Sequence, residues 1–470
     1  MARQKPASLA GRAVPLRPID LAVQHRLARR LHLAQTAGHY FFVDVVGTCN
    51  LRCPSCAVGN APAQLAKGLM SVAAFENILS KIRAEYSDCG RLFVDLYNWG
   101  EPGLHPDLSK LVRLARQAGF GVGLSSDLNV FPDLRDVIKA GPDYLRISFS
   151  GMREESYGAT HRGGSVVALK ANMYRVRELI DRYDSRTIVQ AGFHVYRSNF
   201  PDDFLAARAL CDELGFLFAP VVASVMPAEK LVMIAEGRPA TLEKDLLARL
   251  VLPVEQILNI LGAVGPPTSD CQFRQARTTI NFDGSVSLCC ATYDRDKIIV
   301  GDFLSAARRN VEAAKYSHPF CGSCMRRHVN KLYTGMNGPE LNEAALETLG
   351  PVFRMFIEES RSIGDPNVVV MNNSFHSKAD VYQRGIAALS LGEAGWDEAE
   401  RCFEALTTGA PDFAEGYFQA GALAKSRGHL AAARAHAEEA IRMAPDNEAY
   451  RALAAALRAP EGAVTGTAMR

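Results

Sequence analysis

The residues best suited to chemistry in this 470-residue chain are its eleven cysteines, and their spacing is uneven. Cys49, Cys53 and Cys56 crowd into one short stretch, while Cys271, Cys289, Cys290, Cys321 and Cys324 form a second group. Cys89, Cys211 and Cys402 are scattered and read as packing residues. The N-terminus has no hydrophobic signal core, so the grouped cysteines read as metal ligands rather than disulfides. The first group has the spacing C-x3-C-x2-C. Three thiolates so placed can hold three corners of a [4Fe–4S] cube, whereas cluster proteins normally supply four. One iron is then left open to a small molecule. Zinc and a redox CxxC are the alternatives, and zinc would want a fourth Cys or His close by.

These thiols need a frame, and the hydrophobic pattern supplies one. An apolar run over 40–46 reads as a buried strand that leads straight into Cys49. A helix is expected over 72–86, with Phe75, Ile78, Leu79 and Ile82 on one face. A strand over 91–97 follows and ends in Asn98-Trp99-Gly100-Glu101-Pro102. Helices over 107–118, 132–140, 166–183 and 202–214 alternate with strands over 121–125, 144–150, 188–196 and 216–222. Six βα units in series imply a parallel sheet with right-handed crossovers.

The cysteine loop after a first strand, with Gly100-Glu101-Pro102 after the second, resembles the radical S-adenosylmethionine (SAM) enzyme superfamily. The resemblance implies an α/β fold, a partial (β/α)6 TIM-like barrel over 40–260, with chemistry at the carboxyl ends of its strands. It implies that Cys49, Cys53 and Cys56 hold an iron–sulfur cluster whose open iron takes the amino and carboxylate groups of SAM. An electron from the cluster then splits the sulfonium to a 5′-deoxyadenosyl radical. Trp99, Gly100, Glu101 and Pro102 match the family's Gly-Gly-Glu-Pro grip on the SAM ammonium, with Trp99 in place of the first glycine. Further SAM-side candidates are Ser125, Ser148 and Ser150. They depart from the family pattern, since Ser148-Phe149-Ser150-Gly151 stands for Ser-x-Asp-Gly and Ser125-Ser126-Asp127 for Thr-Asn-Gly. Arg162 is either a contact for the SAM carboxylate or a solvated loop charge. His194, Tyr196 and Arg197 are substrate-side catalytic candidates, or structural hydrogen-bonding residues. An electron donor such as flavodoxin or ferredoxin is implied as a partner.

In the second group, an Asp283-Gly284 turn reads as a hairpin that brings Cys289 back toward Cys271, and Cys321-x2-Cys324 adds two sulfurs. Four thiolates suit a closed cluster or structural zinc. Behind such a barrel, the segment 265–335 resembles the twitch form of the SPASM extension, a small β-hairpin domain with one auxiliary [4Fe–4S] cluster. The implied ligands are Cys271, Cys289, Cys321 and Cys324, which makes two clusters in all. Strand alternation turns Cys290 to the other face. It is there either a small buried hydrophobe or the hydrogen donor that an epimerase needs.

The chain ends differ in character. Residues 1–39 form a basic lead-in, read as a helix in preference to a transit peptide. Residues 336–378 read as a linker with a helix near 339–361 and a short strand over 367–371. From 379 to 458, Ala399 and Ala433, Pro411 and Pro445, and Asp412 and Asp446 repeat at 34 residues, resembling all-α tetratricopeptide (TPR) repeats. Residues 459–470 read as a frayed tail. A net charge of +2 and no long apolar run argue against nucleic acid or membrane as partner, and a cytoplasmic protein is expected. The function these features imply is hydrogen abstraction from a small sugar- or aminocyclitol-like molecule, leading to oxidation or epimerisation. The alternative is a peptide or protein maturase whose repeats bind the peptide or a partner. From a different class comes a zinc-braced repeat scaffold.

Overall fold

The computed structural model describes residues 20–61, 67–263, 270–335 and 338–458. Residues 1–19 of the expected lead-in over 1–39, and the expected frayed tail over 459–470, lie outside the described residues. Six parallel strands follow one another: β1 (His39–Val43), β2 (Leu92–Asp95), β3 (Gly121–Ser126), β4 (Tyr144–Phe149), β5 (Ile188–Val195) and β6 (Leu217–Phe218). Successive side chains on a strand point to opposite faces. One set, including Phe41, Val94, Leu124, Ile147 and Ala191, is fully buried in the core under the surrounding helices. The other set, including Asp95, Gly123, Tyr144, Arg146 and Ser148, faces the lumen.

The last expected strand is broken in two. β7 (Val221–Val222) pairs with β5 beyond β6, because Pro220 between them has no N–H to offer the ladder. A short helix, Glu154–Thr160, follows β4 and was not foreseen from the sequence. The helix expected near 339–361 is two, Pro339–Leu349 and Pro351–Ser362. Gly350 separates them at φ 71°, and Pro351 cannot continue the ladder of the first.

The hairpin after the barrel is not set apart from the sheet. β8 (Arg277–Ile280) lies parallel to β1, and β9 (Ser285–Ser287) and β10 (Ile299–Asp302) continue outward. The result is one ten-stranded sheet. An open barrel leaves the far edge of β1 unpaired, and β8 satisfies that edge. His39 Nε2 and Thr278 Oγ1, 3.0 Å apart, add a buried bond across the same seam.

Helix Leu21–Gln35 closes the amino-terminal end of the strands. Its Leu27 and Leu31 pack with Phe93, Tyr144, Ile188 and Leu217, each at or next to the start of its strand. Gln24 reinforces the seal, donating to the Phe216 carbonyl at 2.8 Å and accepting from the Phe218 N–H at 3.0 Å. The C-terminal segment is built on the outer side of this helix. A hairpin, β11 (Val368–Met371) with β12 (Ser374–Ser377), precedes helices Lys378–Leu389, Trp396–Gly409, Ala414–Ser426, Leu430–Met443 and Glu448–Arg458. Arg29 of the closing helix, its side chain only 2% exposed, meets Asp412 at 2.6 Å. His25 Nδ1 accepts the Gly364 N–H at 3.1 Å. The helical tail is therefore fastened to the end of the barrel opposite the cysteine loop. Among the described residues no helix is long and apolar enough to cross a membrane.

If Leu31 seals the barrel floor, Leu31→Ala leaves a cavity under β4 and β5. It should cost about 2–5 kcal/mol in urea-induced unfolding. Wild-type stability in that variant would contradict the role given to the helix.

Candidate functional site

The site begins where β1 ends. Asp44, one residue beyond the strand, accepts the backbone N–H groups of Trp99 at 3.2 Å and Gly100 at 3.1 Å. Burial pushes its carboxyl up to about 6, and those N–H bonds pull it back. The Glu101 N–H donates to the Thr48 carbonyl at 2.9 Å. Gly100 has to be glycine here, because a Cβ would fall 1.6 Å from the Val46 oxygen. The loop after β2 is thus laced to the start of the cysteine loop.

The Glu101 side chain turns inward and is 4% exposed. Its Oε1 accepts from Ser126 Oγ at 2.7 Å and the Gly103 N–H at 2.9 Å, and Oε2 accepts from the Asp127 N–H at 2.9 Å. Burial, then the charge of Asp127, drives the Glu101 carboxyl well above its ordinary range. Asp127 is raised as well, by burial. Two buried carboxyls side by side form a place that a cation would relieve.

The thiols of Cys49, Cys53 and Cys56 share one loop and act on one another's charge. Burial is the main cause that raises all three. Cys49 Sγ takes the Leu51 N–H at 3.4 Å, and backbone N–H groups of Val58 and Gly59 are directed at Cys56. Buried thiols already supplied with N–H donors fit an iron–sulfur cluster, whose positive irons make thiolates of them. The loop is braced from β5, since Tyr196 Oη donates to Ser55 Oγ at 3.1 Å. Burial holds that phenol up at about 12.

The other expected site residues fall into two sets. Ser125 and Ser148 meet across β3 and β4, their hydroxyls 3.3 Å apart, and both remain half-buried. Ser150 is fully buried, its hydroxyl shared with Thr160 and with His161 Nδ1 at 2.8 Å. Arg162 is forked onto Glu243 at 2.9 and 2.7 Å. Arg197 is fixed to the carbonyls of Leu250 and Val251, each at 2.8 Å. His194 faces the lumen near Arg146, with its pKa lowered to about 4 by burial first and that charge second. Pattern reading missed Asp44, Asp127 and His161 as organisers. The only signal for Asp44 was an acid inside an apolar run, and for Asp127 an acid just past a strand.

The second thiol group also converges. Cys271, Cys289, Cys321 and Cys324 line one small pocket, together with Phe273, Phe320 and Tyr333. Burial raises Cys321 to about 11 and Cys324 to about 12. Cys290 is not in that lining, and the charges felt at its thiol include those of Arg277 and Asp95 in the lumen. Among the described residues no three His, Cys, Asp or Glu side chains meet as ligands of a single ion. Trp99 joins the two regions: its indole N–H donates to the Thr292 carbonyl at 2.9 Å, and its ring stands 5.5 Å from that of Tyr293.

No protein-family model matches the chain, and no curated protein matches it. Among solved structures, Streptococcus suis SuiB bound to precursor peptide SuiA is 11% identical, with a TM-score of 0.41, over 60% of this chain and 65% of that one. BtrN in complex with AdoMet and 2-DOIA is 13% identical, with a TM-score of 0.37, over 64% and 93% of the two chains. Native anSMEcpe with bound AdoMet is 14% identical, with a TM-score of 0.41, over 68% and 99%. The chemistry assigned to this site rests on its own residues.

Asp95, in the lumen below the site, gives a pH signature. Burial lifts its carboxyl from 3.8 to about 7, against the Tyr144 hydrogen bond and the charges of Arg277 and Arg146. The folded state therefore binds this proton more tightly than the unfolded chain. The stability it contributes is full below the unfolded value and is lost as pH rises through the folded one. Between pH 5 and pH 8 the thermal midpoint of the wild type should fall relative to that of Asp95→Asn. Parallel pH profiles for the two proteins would contradict the assignment.

Proposed function

We propose that this chain is a radical SAM enzyme with one SAM-binding and one auxiliary [4Fe–4S] cluster. The observation that carries the reading is the lacing of the cysteine loop to Gly100 and Glu101 at the carboxyl end of the parallel strands. Cys49, Cys53 and Cys56 hold the first cluster and leave one iron open. When bound, cluster and SAM together supply a one-electron cleavage of the sulfonium and a 5′-deoxyadenosyl radical that takes a hydrogen atom from substrate. The Glu101 carboxylate, beside Asp127, receives the SAM ammonium, and Gly100 allows the backbone to come close. Ser125 and Ser148 offer hydroxyls to the nucleoside side. Tyr196 keeps the cysteine loop in place through Ser55.

Cys271, Cys289, Cys321 and Cys324 are the ligands of the auxiliary cluster in this reading. That leaves the Cys290 thiol toward the lumen, as an epimerase's hydrogen donor would be. The substrate is a small sugar- or aminocyclitol-like molecule, to be oxidised or epimerised. What favours a small molecule over a peptide is that the TPR-like tail is tied to the helix at the closed end of the barrel, away from the cysteine loop. The tail then serves a protein partner rather than substrate delivery. Electrons enter from a flavodoxin or ferredoxin.

Holoenzyme reduced with dithionite under anaerobic conditions should convert SAM to 5′-deoxyadenosine, read by liquid chromatography. Cys53→Ala should reduce this to background, while Cys402→Ala, in the tail, should leave it intact. Iron-replete wild type that forms no 5′-deoxyadenosine would refute the reading.

A further inference from the structure

Two guanidinium groups turned to the barrel lumen form no ion pair among the described residues. On β4, Leu145 and Ile147 are fully buried among the helices, so Arg146 between them is turned to the lumen. Arg277 opens β8 beside Tyr40 of β1. Its guanidinium lies over the rings of Tyr40, Phe42 and Phe273, at 5.4, 5.7 and 4.6 Å. Neither side chain takes part in an ion pair or donates a hydrogen bond among the described residues, although each is only half-exposed. Arg146 Nε is buried with no hydrogen-bond partner among the described residues. A guanidinium carries five N–H donors, and leaving them unpaired away from water is costly.

The surroundings make room for these charges without neutralising them. Gly192 faces Arg146 from β5, and a Cβ there would fall 2.7 Å from Nε. Gly123 faces Asp95, where a Cβ would fall 2.2 Å from Oδ1. Glycine weakens a strand interior, so two of them mark close approach by something else. The nearby acid, Asp95, takes the Tyr144 hydroxyl at 2.5 Å, and burial holds its carboxyl near 7 in spite of both arginines. It is a poor counterion at neutral pH. His194 is held neutral by burial and by Arg146 itself.

We propose that the substrate carries an anionic group, a carboxylate or a phosphate, which Arg146 and Arg277 receive inside the barrel. The fork of a guanidinium matches either group with two parallel N–H bonds. Arg146 lies two residues before Ser148, one step below the Ser125–Ser148 pair. An anion held there thus sets the rest of the molecule against Ser125 and Ser148. The inference names the substrate class of the site proposed above and rests on that reading for the reaction, but not for the binding.

The test is calorimetric titration of the reconstituted holoprotein with inorganic phosphate and with succinate, at ionic strength fixed by sodium chloride. Wild type should bind one of them in preference, and that preference distinguishes a phosphorylated substrate from a carboxylic acid. Arg146→Gln and Arg277→Gln should each weaken that binding by about tenfold or more. Arg361→Gln, which alters an exposed pair with Glu343, should not change it. Absence of binding by both anions, or binding unchanged in both lumen variants, overturns the proposal. So does a loss of SAM affinity in Arg146→Gln with anion binding intact, since the guanidinium would then serve SAM. Because the readout is binding and not turnover, it stands or fails separately from 5′-deoxyadenosine formation.

Discussion

Asp44 closes the first strand with a carboxylate turned onto backbone N–H groups of the next loop, those of Trp99 and Gly100. Such a carboxylate is costly to bury, and two N–H bonds are what keep it in place. Everything that could do chemistry at the open end of the barrel depends on this tie. It holds Gly100 against the Val46 carbonyl, so near that only a hydrogen fits between them. It lets Glu101 bond to Thr48 through its backbone and to Ser126 and Asp127 through its side chain. Three strand ends are joined in this way, and the cysteine loop is suspended among them.

The same tie carries across to the extension. Trp99 stands directly before Gly100, and its indole reaches Thr292, three residues beyond Cys289. Tyr293 packs on the indole, and Glu229 accepts the N–H groups of Tyr293 and Asp294. The Ala228 N–H bonds to the Ala291 carbonyl, and the Met226 N–H to Ser55 in the first cysteine loop. Both sets of thiols are therefore held by one hydrogen-bonded frame, and β8 seats the extension directly on β1. The bulky Trp99 is intelligible in these terms, as a strut that spans the gap between loop and extension.

Much of this was legible in the amino-acid pattern, because periodicity and spacing are local properties. Alternating strand and helix signals placed β1 to β5 and the helices between them within a few residues. The thiol spacings named the two groups that the structure brings to two separate places. What pattern could not reveal depends on contacts distant in the chain. Pairing of β8 with β1 joins residues more than two hundred positions apart, so the hairpin reads as separate until the open edge of β1 is seen. Arg197 at a strand end looks available, yet its guanidinium finds Leu250 and Val251. Ser150 looks like a strand-end ligand, yet the unforeseen helix Glu154–Thr160 delivers Thr160 and His161 onto its hydroxyl. Arg146 shows no sequence signal at all, because a lone charge on a strand becomes informative only when its partners are known.

The central claim, that two groups of thiols hold two [4Fe–4S] clusters, is tested most directly by iron and acid-labile sulfide per chain after anaerobic reconstitution. The account predicts about eight irons in the wild type and about four in the Cys49/Cys53/Cys56→Ala triple variant. Stoichiometric zinc without iron would contradict it and leave a metal-braced scaffold in place of an enzyme.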